Sequence, residues 1–112
     1  MLFLAGSHNQ SLPLLLVLAL QLVHPPLHRS TAEYRKLYKD LDKRGFGQRA
    51  QLLAMLSTLD SMVGQTVAAL QEAGMWEDTL LVFLSDNGAR VSKAGSNWPL
   101  RGGKHTLYEV SG

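Results

Sequence analysis

The residues with the clearest chemical potential stand in two short runs, Ser85-Asp86-Asn87-Gly88 and Arg101-Gly102-Gly103-Lys104-His105. Asp86 and Asn87 place a carboxylate and a carboxamide oxygen side by side, the hard donors that Ca²⁺ or Mg²⁺ prefers. Such a cation takes about six or more oxygens, so this pair is only part of a ligand set. Taken alone, Asp-Asn-Gly also reads as an ordinary turn, because all three residue types favour turns. In the second run the glycines allow a backbone to come close to a ligand, and the flanking cations can meet an anion. Lys104 by itself is a weak signal, since exposed lysines are common. His24 is a third candidate: Pro25 and Pro26 follow it, bias it away from the helical region and end any strand there. His28 and His105 read as exposed loop residues, and His8 as part of a disordered end. No cysteine occurs among the 112 residues, which excludes a disulfide, a thiolate metal site and a cysteine nucleophile within them.

These residues need elements to position them. Leu12 to Leu22 is an almost continuous apolar run, too short to cross a bilayer as a helix, which takes about 20 residues. Two readings stay open for it: the buried strand of a parallel sheet, apolar on both faces, or the core of a signal peptide. The strand is favoured because no Lys or Arg precedes the run and no small-x-small cleavage site follows it. Asn9-Gln10-Ser11 fits a glycosylation sequon, a triplet common by chance. Ser30 to Phe46 is charged and aromatic with alternating signs, which predicts a short helical stretch, a solvated face and a loop near Gly45 and Gly47.

From Arg49 to Ala73, Leu52, Leu56, Leu59, Val63, Val67 and Leu70 recur at three- and four-residue spacings, with Leu53, Met55 and Met62 broadening the stripe. That spacing predicts a long amphipathic helix with Gly74 as a left-handed cap. Gly64 inside it predicts close packing against a neighbour, since glycine there costs about 1 kcal/mol relative to alanine. Asp60 and Gln65 are expected at its solvent side or the edge of the stripe. A turn at Trp76-Glu77-Asp78 leads to a second apolar strand, Thr79 to Leu84, and then a long loop rich in Gly, Ser and Asn. Strand, helix, strand in this order predicts a βαβ-like crossover in an α/β fold with parallel strands. Open sheets of this kind bind ligands at strand ends, where His24 and Asp86 would stand. The length allows one small domain. With 46% hydrophobic and 18% charged residues and a net charge of +2, the composition is that of a globular protein, and no dense basic tract argues for nucleic acid.

Leu70 to Gly88 resembles the sulfatase pattern of a helix end, Gly-x-Trp, a Thr-led strand and Ser/Thr-Asp-Asn-Gly. Asn97-Trp98-Pro99-Leu100-Arg101-Gly102-Gly103-Lys104 through Leu107-Tyr108-Glu109 is similar to the following loop in the arylsulfatase B-like branch. Leu18 to Leu27 resembles that branch's strand ending in His-x-Pro-Leu. The resemblance covers about residues 14–109 and reads the chain, 1–112, as a partial sulfatase catalytic domain with 1–12 unassigned. It implies an alkaline-phosphatase-like α/β fold and hydrolysis of sulfate esters. By position, Asp86 and Asn87 match two of the family's calcium ligands, Lys104 the lysine that contacts sulfate, and His24 the histidine beside it. The implied substrate of a full-length relative is a sulfated carbohydrate or aryl sulfate ester, and the implied location is the lysosome or the secretory route, with no membrane span.

The family's nucleophile is a formylglycine made from the cysteine of Cys-x-Pro-x-Arg, and that motif is absent. Near the end, Glu109-Val110-Ser111-Gly112 departs from the Glu-Gly-Gly of relatives. The chain alone is therefore expected to bind Ca²⁺ poorly and to turn over no sulfate ester. A phosphodiesterase or phosphatase of the same superfamily is a second reading, although those commonly carry Asp-His where this chain has Asp86-Asn87. A non-catalytic remnant of the fold is a third.

Overall fold

The computed structural model describes residue 9 and residues 12–108. Three helices follow one another, α1 (Ala32–Leu37), α2 (Lys39–Lys43) and α3 (Gly47–Glu72), then short 3₁₀ turns at Trp76–Asp78 and Val91–Lys93. The dominant element is α3, 26 residues and about 39 Å long at 1.5 Å per residue. By length and composition it could also cross a membrane, a test that core helices of soluble proteins pass equally.

Helix α3 ends as its sequence requires. Gly74 takes φ +67°, its N–H donates to the Gln71 carbonyl at 3.0 Å, and the Met75 N–H donates to the Leu70 carbonyl at 2.9 Å. This pair of bonds is the Schellman arrangement, which satisfies carbonyls the helix leaves open and which glycine enters without a Cβ clash. The same device closes α2, where Gly45 has φ +85° and Phe46 N–H reaches the Leu41 carbonyl at 3.0 Å. The chain thereby reverses, and α1 and α2 lie against α3. The Tyr38 hydroxyl bonds the Ser57 hydroxyl at 2.7 Å across that contact.

Among the described residues the core is small and lies along α3: Ala50, Ala54, Met55, Leu59 and Leu70 are its buried apolar residues, with Thr66 buried among them. Thr66 satisfies its hydroxyl by donating to the Met62 carbonyl at 2.9 Å. At about 100° per residue, Met55, Leu59, Thr66 and Leu70 share one face, whereas Ala50 and Ala54 lie on nearly the opposite side. The first half of α3 is thus covered on two sides and the second half on one. Leu59 and Leu70 are buried as the periodicity predicts, but Leu56 is 48% exposed. The Gly64 expectation is corrected. That residue is exposed and a Cβ there would meet nothing within 4 Å, so no neighbour packs against it.

The expected strands differ more. Residues 12–22 and 79–84 are extended or irregular, and no strand ladder forms among the described residues. The physical reason is the lack of a partner: a strand exists only through hydrogen bonds to a neighbouring strand. Leu80, Val82, Phe83 and Leu84 are consequently 65–88% exposed, and Leu15 is 90% exposed. The parallel sheet is absent from the described residues, and α3 is the element that orders this chain.

Candidate functional site

The Thr79 hydroxyl donates to the Met75 carbonyl at 2.7 Å, fixing the departure of the extended segment from α3. At the segment's far end, the Ser85 hydroxyl donates to the Asn87 carbonyl at 2.7 Å, which holds Asp86 and Asn87 in a bend. The turn expected of Asp-Asn-Gly therefore forms. The Asp86 side chain is exposed, and its carboxylate has no hydrogen bond or ion pair among the described residues. Asn87 is half-buried, and its side-chain amide donates to the Gly88 carbonyl at 3.1 Å.

The chain then loops back on itself. Lys104 N–H donates to the Ala89 carbonyl at 3.2 Å, which sets the glycine-lined run against the residues just after Asn87. Gly103 is buried, and a Cβ on it would lie 2.6 Å from the Ala89 carbonyl oxygen and 2.9 Å from the Asn97 amide nitrogen. Gly102 has φ +96°, and a Cβ there would lie 2.6 Å from the Tyr108 carbonyl oxygen. The close approach expected of these glycines is filled by the chain's own backbone rather than by space for a ligand. Arg101 stacks its guanidinium 3.6 Å from the Tyr108 ring centroid, which commits that cation to a ring face. Lys104 is half-buried with no carboxylate paired to it among the described residues, so of the two cations flanking the glycines it is the one left to meet an anion.

His24 lies apart from this loop in its bonding. Its Nδ1 approaches the Pro25 carbonyl at 2.6 Å, and its N–H reaches the Gln21 carbonyl at 3.1 Å. The following residues dock on α3, where Gln51 donates to the Leu27 carbonyl at 2.6 Å. Among the described residues no hydrogen bond or ion pair joins His24 to Asp86, Asn87 or Lys104. Nor does any group of three or more His, Cys, Asp or Glu residues there converge as a metal site. A surface cleft of about 470 Å³ is lined by Phe46, Gln48, Arg49, Ala94 and neighbouring small residues and contains none of the four candidates. Two side chains organise the loop, Asn97 and Thr106, although neither residue type carries a sequence signal for that role. The Thr106 hydroxyl lies within 3.0 Å of both the N–H and the carbonyl of Gly103.

A family model described as Sulfatase matches residues 2–111. The chain belongs to the sulfatase family. Arylsulfatase J of Mus musculus is 36% identical over 104 residues, covering 93% of this chain and 17% of that relative. Steryl-sulfatase of Homo sapiens is 33% identical over 103 residues, with 92% and 16% covered. N-acetylgalactosamine-6-sulfatase of Rattus norvegicus is 30% identical over 112 residues, with 96% and 19% covered. The chain thus spans less than a fifth of the length of these sulfatases. No solved structure matches it. Membership carries the alkaline-phosphatase-like α/β class with it, although this stretch of sulfatase sequence is helical among the described residues, with its two apolar segments unpaired.

Proposed function

We propose that this chain is a segment of a sulfuric ester hydrolase domain that supplies part of the metal and sulfate-binding shell. The observation that supports the reading is the bond from the Lys104 N–H to the Ala89 carbonyl, which lays the Gly103-Lys104 run against the residue two after Asn87. In such a site Asp86 and Asn87 supply two hard oxygen donors. The donor set suits Ca²⁺ in kind and falls short in number, because a hard cation takes about six or more oxygens. When bound, the cation would withdraw charge from a sulfate oxygen as a Lewis acid. Lys104 contributes a fixed positive charge to the oxygens that become more negative as the S–O ester bond breaks. His24 adds an imidazole N–H donor if further sulfatase sequence brings its segment alongside. The substrate class of the full-length protein is a sulfated carbohydrate or an aryl sulfate, in keeping with the names arylsulfatase J and N-acetylgalactosamine-6-sulfatase.

The test is a chimera in which residues 14–108 replace the matching stretch of mouse arylsulfatase J. The chimera is expected to hydrolyse a fluorogenic aryl sulfate, and Lys104→Ala in it to lower kcat by about 10²–10³, the scale of one lost oxyanion donor. A folded chimera with no turnover, or a Lys104→Ala chimera with unchanged kcat, overturns the reading.

A further inference from the structure

The side chain of Asn97 links both halves of the candidate loop at once. Its Oδ1 accepts the Ala89 N–H at 2.8 Å. Its Nδ2 donates to the Gly102 carbonyl at 2.8 Å and more weakly to the Ala89 carbonyl at 3.4 Å. Both amide donors and one acceptor position are thereby used, and only a carboxamide carries both an acceptor and two donors in one plane. Ala89 stands two residues after Asn87, and Gly102 two residues before Lys104. The seat is built for this clip, because Gly103 and Gly95 both lie where a Cβ would collide with the chain around Ala89. Asn97 is half-buried, so its bonds are partly shielded from competing water.

We infer that Asn97 is a positioning residue whose carboxamide sets the separation between the Asp86-Asn87 donors and Lys104. This rests on the sulfatase-site reading for its functional meaning, but the clip itself has a physical signature independent of any ligand. An oxyanion shell works only when its donors are held in place before the charge develops. The 16 residues between Asn87 and Lys104 would otherwise sample many separations. Asn97 restricts that freedom without touching the anion.

The natural chain has no cysteine, so spin labels can be placed without background. Arg90→Cys and Leu107→Cys are both exposed positions flanking the clip, one on each half of the loop. In the full 112-residue chain, pulsed electron resonance between these labels is expected to give one narrow distance distribution. Asn97→Asp keeps the size and the acceptor but loses the donor, and Asn97→Ala loses both. In each, the ratio of molecules at the short separation to those away from it should fall at least fivefold, roughly the scale of one lost hydrogen bond, while the α3 circular dichroism at 222 nm stays unchanged. An equally narrow distribution in both variants overturns the inference. So does broadening that comes with loss of the α3 signal, because Asn97 would then support the fold at large. Inorganic sulfate titrated onto the same chains and followed at the Lys104 amide separates the two claims: a parent chain with the narrow distance and no response at Lys104 counts against the sulfate site and leaves the clip standing.

Discussion

Asp86, Asn87 and Lys104 show how differently three polar residues can be held. Asn87 is fixed by its own neighbours, since Ser85 caps its carbonyl and its amide turns onto Gly88. Asp86 is left open to solvent, and a carboxylate with no partner is free to take a cation at little cost in broken bonds. Lys104 is held by its backbone through Ala89 and not by its ammonium, which leaves the charge for a ligand. By contrast Tyr38 acts purely within the fold. Tyr38→Phe removes its bond to Ser57, and urea denaturation should read a loss of about 1 kcal/mol, the usual net value of one such bond. No change in the midpoint would mean that water replaces the hydroxyl partner without loss.

At the scale of elements, α3 carries the fold and its two informative glycines behave oppositely. Gly64 is exposed with open space around the missing Cβ, so alanine gains helix propensity with no clash. Gly64→Ala is expected to stabilise the chain by about 1 kcal/mol in denaturant titration. Gly74 has φ +67°, where a Cβ meets the backbone, so Gly74→Ala is expected to destabilise it by about 1 kcal/mol. Equal effects of the two substitutions would contradict the assigned helix end. A surface ion pair, Lys43 with Asp40 at 3.9 Å, has side chains 74% and 81% exposed and contributes little to α2.

The whole molecule is loosely filled. Its radius of gyration is 17.1 Å, against about 13 Å for a compact domain of this length. Its accessible surface is 8918 Å², where a folded monomer of this mass exposes about 6100 Å². Met55, the one large side chain with under 2% exposure among the described residues, therefore holds a large share of the packing. Met55→Ala costs about 2–5 kcal/mol where a core cannot collapse around the gap, and here it should abolish cooperative unfolding altogether in a thermal melt. A retained sharp transition would place the core elsewhere. With no cysteine to become formylglycine, the isolated chain is expected to release no product from an aryl sulfate and to bind Ca²⁺ weakly by calorimetry. Turnover, or tight stoichiometric binding, would show that this segment holds a site of its own.

The amino-acid order alone specified the long helix, its glycine end, the Trp76–Asp78 turn and the family, because each depends on residues near one another in the chain. Helical periodicity, a left-handed glycine and a motif such as Ser-Asp-Asn-Gly are local properties that survive any surroundings. Tertiary structure decided the rest. Whether the apolar runs 12–22 and 79–84 become strands depends on a neighbour to complete their hydrogen bonds, and within these residues none does so. Which side of α3 is covered is a fact of long-range packing, and that Asn97 joins the loop halves and that Ala89 fills the space beside Gly103 are fixed only when the loop closes on itself.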